Sequence, residues 1–235
     1  MLAPAAVLSG YLAIGAGALA LLREPVAATA ASGAVIMVAI VLLRILKPSW
    51  VSYGPAPRPG RATLRFGLAI ALCAVLAFLA GQAMGLWLYF AVGSAGYDVS
   101  NQVRESAGIW LTLLLTLAVA PAGEEALFRG LLYPLLRRRV GVVIATLITA
   151  AGFGLLHGNI VQFAAVLPLG VLLALLYERT RALWPCMCMH LGFNLAAAVV
   201  PARALVPLAN PVSAALLLLA FAAAAWMLHR QITGR

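Results

Sequence analysis

Apolar residues in this chain run in long blocks without charge, and polar residues collect in the short segments between them. Eight such blocks can be read, at Leu2–Leu22, Val26–Leu43, Phe66–Val92, Ala107–Gly123, Val140–Leu156, Ile160–Tyr177, Ala182–Val200 and Pro211–Leu228. About 20 apolar residues in a helix cross a hydrocarbon core of about 30 Å, so each block predicts a membrane-spanning helix. The expected fold class is therefore all-α, a polytopic membrane helix bundle of about eight transmembrane helices. One hydrophilic linker of any size, residues 47–61, carries prolines and glycines that oppose a helix. With no internal repeat and no soluble domain visible, residues 1–235 read as a single integral-membrane domain. The first block has no Lys or Arg before it and is longer than the 7–15 apolar residues of a secretory signal, so it is expected to stay on the protein.

Composition strengthens this reading. Hydrophobic residues make up 65% of the 235 positions and charged residues 9%, against about 25% charged in a soluble domain. The net charge of +10 could suggest a nucleic-acid partner. The basic residues, however, sit beside block ends and form no basic domain interleaved with aromatics, so no nucleic acid is expected. With both termini cytoplasmic, twelve of the sixteen Lys and Arg residues, from Arg44, Lys47, Arg58 and Arg61 to Arg230 and Arg235, fall on the cytoplasmic side. Arg23, Arg104 and Arg203 fall on the other side, and Arg129 lies within the membrane. Cys73, Cys186 and Cys188 all lie inside blocks, which opposes a disulfide framework and suggests small buried apolar residues. The abundance of Ala and Leu with few lysines suggests a bacterial inner membrane.

Against this background a few polar groups stand out at membrane depth: Glu124, Glu125, Arg129, His157, His190 and Asn194. A charge in hydrocarbon costs roughly 2.5 kcal/mol or more, so such groups usually face a bundle interior and mark a function. Glu125 and Arg129 are four apart on one helix face and can pair, whereas Glu124 is turned by about 100°. One carboxylate is thus neutralised structurally and the other is placed to act as a general base or acid. The bland reading is a buried ion pair that fixes helix packing. Phe153 and His157, and His190 and Asn194, repeat the four-residue spacing. A lone histidine in an apolar helix is more often a hydrogen-bonded core residue, but three such elements in neighbouring blocks favour a site. Two histidines and a glutamate are also ligand types of catalytic zinc. No HExxH spacing is present, so Glu124, His157 and His190 would have to meet across helices. Cys186 lies one turn before His190, and Cys188 points about 200° away.

Taken in order, "EEALFRG", "FGLLH" and "HLGFN" resemble the CPBP family of intramembrane peptidases, which includes type II CAAX prenyl endopeptidases and bacterial Abi-type proteins. The resemblance covers about residues 105–200, the expected catalytic core. It implies that Glu124 with His157 activates a water, and that His190 and Asn194 stabilise an oxyanion or help to bind a metal. Glu125 and Arg129 would hold the site together. It implies an endopeptidase acting on a membrane-associated or lipidated protein substrate, such as a CAAX-like C-terminus, a peptide leader or a C-terminal sorting tail, in contact with the lipid bilayer. Zinc and a metal-free glutamate mechanism both remain open. So do a secondary transporter with acids and histidines at the midplane and a noncatalytic immunity or binding module.

Overall fold

The computed structural model describes residues 4–23, 25–54, 64–106 and 108–233, and among these every regular element is helical. Leu2, Ala107, residues 55–61 of the linker, and with them Arg58, Arg61 and Arg235, lie outside the described residues. The helices are α1 (Pro4–Leu22), α2 (Pro25–Leu46), α3 (Leu64–Val92), α4 (Ala95–Ser106), α5 (Ile109–Arg137), α6 (Val142–Leu155), α7 (Ile160–Thr180), α8 (Leu183–Val199) and α9 (Pro211–Thr233). Among the described residues, six are long and apolar enough to cross a membrane, or seven when α8 is joined to the bent segment Ala202–Leu208. The chain is an integral, multi-pass membrane protein of the all-α class.

Where helices and blocks differ, local chemistry gives the reason. α8 is followed by Pro201, which forces Val200 out of helical geometry to ψ 114°, and the chain then turns by 97°. α6 is 14 residues long and stops at Gly158, whose φ of +71° suits glycine. α4 falls between two blocks. Its first turn is held by the Ser94 hydroxyl, which accepts from the Tyr97 amide at 3.2 Å, and Asp98 and Arg104 are placed to suit the helix dipole. The Asp98 carboxylate also accepts from the Tyr89 hydroxyl at 2.9 Å.

The chain divides into two compact units, Met1–Pro55 with Val99–Ala145, and Ala56–Asp98 with Thr146–Arg235. In the first, α1 lies on α2, and α2 packs against α5. α2 and α5 come close at Gly33 and Gly123, where a Cβ on Gly123 would stand 3.1 Å from the Gly33 Cα. Further along, the Arg44 guanidinium donates to the Gly130 carbonyl at 3.2 Å. The order of these two contacts means that α2 and α5 run in the same direction. The segment after α2 is tied to the end of α5: Arg138 donates to the Ser52 carbonyl at 2.8 Å and to the Ser49 carbonyl. The Arg137 guanidinium lies 5.3 Å from the centre of the Tyr53 ring.

In the second unit, α3 packs along α7 and α9. The α3–α7 seam uses Gly81 and Gly85, where small residues let two backbones meet. A Cβ on Gly81 would lie 2.0 Å from the Ala165 carbonyl oxygen, and one on Gly85 3.1 Å from that of Val161. These contacts run in opposite order along the two helices, so α3 and α7 are antiparallel. Gly170 of α7 meets Ala150 of α6 in the same way, at 2.9 Å from its Cα.

Candidate active site

The glutamates sit near the middle of α5. Glu125 and Arg129 are both fully buried and pair at 2.9 Å, as their four-residue spacing predicted. Glu124, turned away from that pair, is half-buried. The helix around them is not regular. Leu115–Val119 and Phe128–Leu132 are π-helical turns, and each is centred on a carbonyl that a proline four residues later has no N–H to bond. Pro121 stands to Leu117 as Pro134 does to Gly130. A widened turn absorbs the clash between the proline ring and that carbonyl, and at Gly130 Arg44 supplies a donor. Leu131–Leu135 stays helical and buried through this stretch.

One neighbour of the glutamates was not anticipated. Tyr11 of α1 lies within electrostatic reach of Glu124. Its only signal in the sequence is a phenol in a helix without charge.

The histidines are arranged in the second unit. Phe153 is fully buried, and the rings of His157 and His190 both meet it edge-on, with centroids at 5.3 and 5.5 Å. Phe153 therefore spaces and orients both imidazoles. His157 lies just beyond α6, in a turn, and its Nδ1 is 3.0 Å from the Phe153 carbonyl oxygen. A carbonyl only accepts, so Nδ1 carries the proton and Nε2 presents a lone pair. The turn is fixed from the other side by Asn159, which donates to the His157 carbonyl at 3.0 Å and accepts from the Gln162 amide at 2.8 Å, capping α7. His190 is buried, and Asn194, one turn later on α8, is half-buried. The next residue round, Phe193, packs edge-on against Phe78 of α3 at 5.4 Å and sets the rotation of α8.

Glu124, Glu125 and Arg129 are thus together in one unit, and His157, His190 and Asn194 in the other. As for a metal, three protein ligands are needed for catalytic zinc. Within either unit, among the described residues, no three His, Cys, Asp or Glu residues gather as such a set. The Cys186 thiol is directed at the Leu173 and Ala182 carbonyls at 3.6 and 3.7 Å, away from ligation. Cys73 and Cys186 are buried as expected, but Cys188 is exposed, because it lies on the outer face of α8. Glu178, which the sequence reading did not single out, is also buried and pairs with Arg181 at 3.4 Å.

Residues 106–196 match the family model described as type II CAAX prenyl endopeptidase Rce1-like, and all six site residues fall inside the match. Over that segment, which is less than half of the chain, the protein is similar to intramembrane peptidases of the CPBP type. A curated relative, named "Putative membrane peptidase YdiL" from Bacillus subtilis (strain 168), is 27% identical over 130 residues, covering 51% of this chain and 53% of that protein. The chain thus spans about half the length of the curated relative it matches. No solved structure matches it.

Proposed function

We propose that the protein is an intramembrane endopeptidase that hydrolyses a peptide bond of a membrane-associated or lipidated protein substrate. The observation that carries this reading is the division of labour between the two glutamates: Glu125 is consumed by Arg129, while Glu124 on the adjoining face is half-buried. In the reaction, Glu124 accepts a proton from the attacking water, with His157 Nε2 as its partner in activating it. His190 and Asn194, one turn apart on α8, donate to the oxyanion that forms on the carbonyl. The Phe153 contacts support this by holding both imidazoles in fixed planes before substrate binds. Glu124 then returns the proton to the leaving amine. A metal, if bound, would polarise the carbonyl and the water, and no step above requires it.

The test is Glu124→Gln. The amide keeps the shape and loses the base, so the variant should accumulate in membranes at the wild-type level and cleave no substrate. Peptidomics of membranes from cells carrying wild type or variant reads both the loss and the cleaved sequences. Undiminished cleavage by the variant would falsify the assignment of Glu124.

A further inference from the structure

α3, α7 and α8 enclose a groove of about 560 Å³ that plays no part in the chemistry above. That volume is within the roughly 300–1,000 Å³ typical of ligand pockets, and its walls are apolar side chains. On α3 they are Ile70, Ala74 and Phe78 at four-residue spacing, and on α7 they include Leu172 and Leu176. The same stripes continue beyond the groove. On α3 the next position is Phe66, on α7 it is Arg179, and these two meet, with the guanidinium 5.5 Å from the ring centre. Trp184, in the first turn of α8 and 70% exposed, stands at the same end.

The groove therefore has a direction, from a cation and two aromatics at its mouth to carbon alone at its depth. From Arg179 to Leu169, its innermost position on α7, is ten residues, or about 15 Å. That is half of a hydrocarbon core of about 30 Å, the depth of one leaflet. Aromatic residues and arginines gather at headgroup level, and apolar side chains fill the level of the acyl chains. The neighbouring Arg181 is engaged by Glu178, through its carboxylate at 3.4 Å and its carbonyl at 3.1 Å. With Arg179 and Arg181 set against the single carboxylate of Glu178, the mouth carries a net positive charge. The groove also lies on the far side of α8 from the candidate active site: Gly192, which lines it, is turned by about 200° from His190.

We propose that this groove is a binding site for one anionic phospholipid, with an acyl chain between α3, α7 and α8 and the phosphate against Arg179. Charge at the mouth selects the headgroup, and depth selects a single chain from one leaflet.

Native mass spectrometry of the purified full chain in detergent, with equimolar dioleoyl phosphatidylglycerol and dioleoyl phosphatidylcholine, tests it. The wild type should retain one phosphatidylglycerol in preference. Arg179→Gln should weaken that retention about fivefold, the effect of one cation at a membrane surface. Gly192→Leu should abolish it, since a Cβ at Gly192 meets nothing within 4 Å and the side chain can enter the groove. Cys188→Phe, at an exposed position on the same wall, is the second filling variant should Gly192→Leu not fold. Alkylation of Cys188 in the wild type should be slowed by phosphatidylglycerol. Equal retention of the two lipids, or retention unaffected by filling the groove, overturns the proposal. Displacement by farnesyl-cysteine methyl ester without any phosphatidylglycerol binding also overturns it and gives the groove to a lipidated substrate.

Discussion

Replacing Glu125 by Gln should unfold this protein more readily, and the size of the effect follows from the pair's surroundings. Glu125 and Arg129 have no exposed surface and lie 2.9 Å apart in the middle of an apolar helix. The substitution leaves the guanidinium buried with its counter-charge gone. Breaking a buried pair from one side costs about 3–5 kcal/mol. For a chain of this length each kcal/mol shifts Tm by about 2–4 °C, so a fall of about 6–20 °C is expected. Unfolding can be followed with a thiol-reactive dye, because Cys73 and Cys186 are buried in the fold, with exposed Cys188 first replaced by Ala. The double variant Glu125→Leu/Arg129→Met removes both charges and should melt above Glu125→Gln, since no lone ion remains. A Glu125→Gln protein melting within about 2 °C of wild type would sink the argument, because that corresponds to no more than about 1 kcal/mol.

Other outcomes follow from particular contacts. Gly81→Val should abolish the folded protein, because its Cβ would fall 2.0 Å from the Ala165 carbonyl, while Gly192→Ala, with open space around it, should leave melting unchanged; yield after size exclusion distinguishes them. His190→Ala and Asn194→Ala should each reduce turnover by about 100- to 1000-fold if they act as oxyanion donors. Metal content of wild type and His190→Ala, measured by mass spectrometry after chelation, checks the mechanism: stoichiometric metal lost together with activity would make His190 a ligand. For orientation, a cysteine at Ser52 should be shielded from an impermeant reagent in intact cells and one at Ala95 should react, both positions being exposed; the reverse labelling would invert the membrane topology.

Much of this was legible in the sequence because hydrocarbon leaves few alternatives. Long charge-free blocks have to be helices, and a charge within one has to find a partner, so the Glu125–Arg129 pair could be read from spacing alone. The pairing of His157 and His190 through Phe153 could not. It depends on how α6 and α8 are rotated, which is set by contacts such as Phe78–Phe193 and Gly170–Ala150 that lie far apart in the chain. α4 was missed because apolar periodicity is the main helix signal and this helix is polar, held by its cap and its ends. The π turns were visible only as two prolines; that Pro121 and Pro134 widen α5 rather than end it depends on the packing of α2 along it and on the Arg44 donor at Gly130.

The directions of packed helices also bear on how often the chain crosses the membrane. α2 and α5 run parallel, as the contacts Gly33–Gly123 and Arg44–Gly130 require. One crossing lies between them when α3 spans and the polar α4 does not. α3 and α7 run antiparallel, as the contacts Gly81–Ala165 and Gly85–Val161 require. Between α3 and α7 the chain passes through α5 and α6. If α5 alone crossed, α7 would return in the direction of α3, so the antiparallel seam requires α6 to reverse the chain once more. α6 has only 14 residues, about 21 Å of helix, short of a core of about 30 Å. Its turn at Leu156–His157 thus brings the chain round after a helix shorter than a full span. The shortness of this one helix goes with Gly158 at φ +71° and the Asn159 cap that follows, which together turn the chain from α6 into α7.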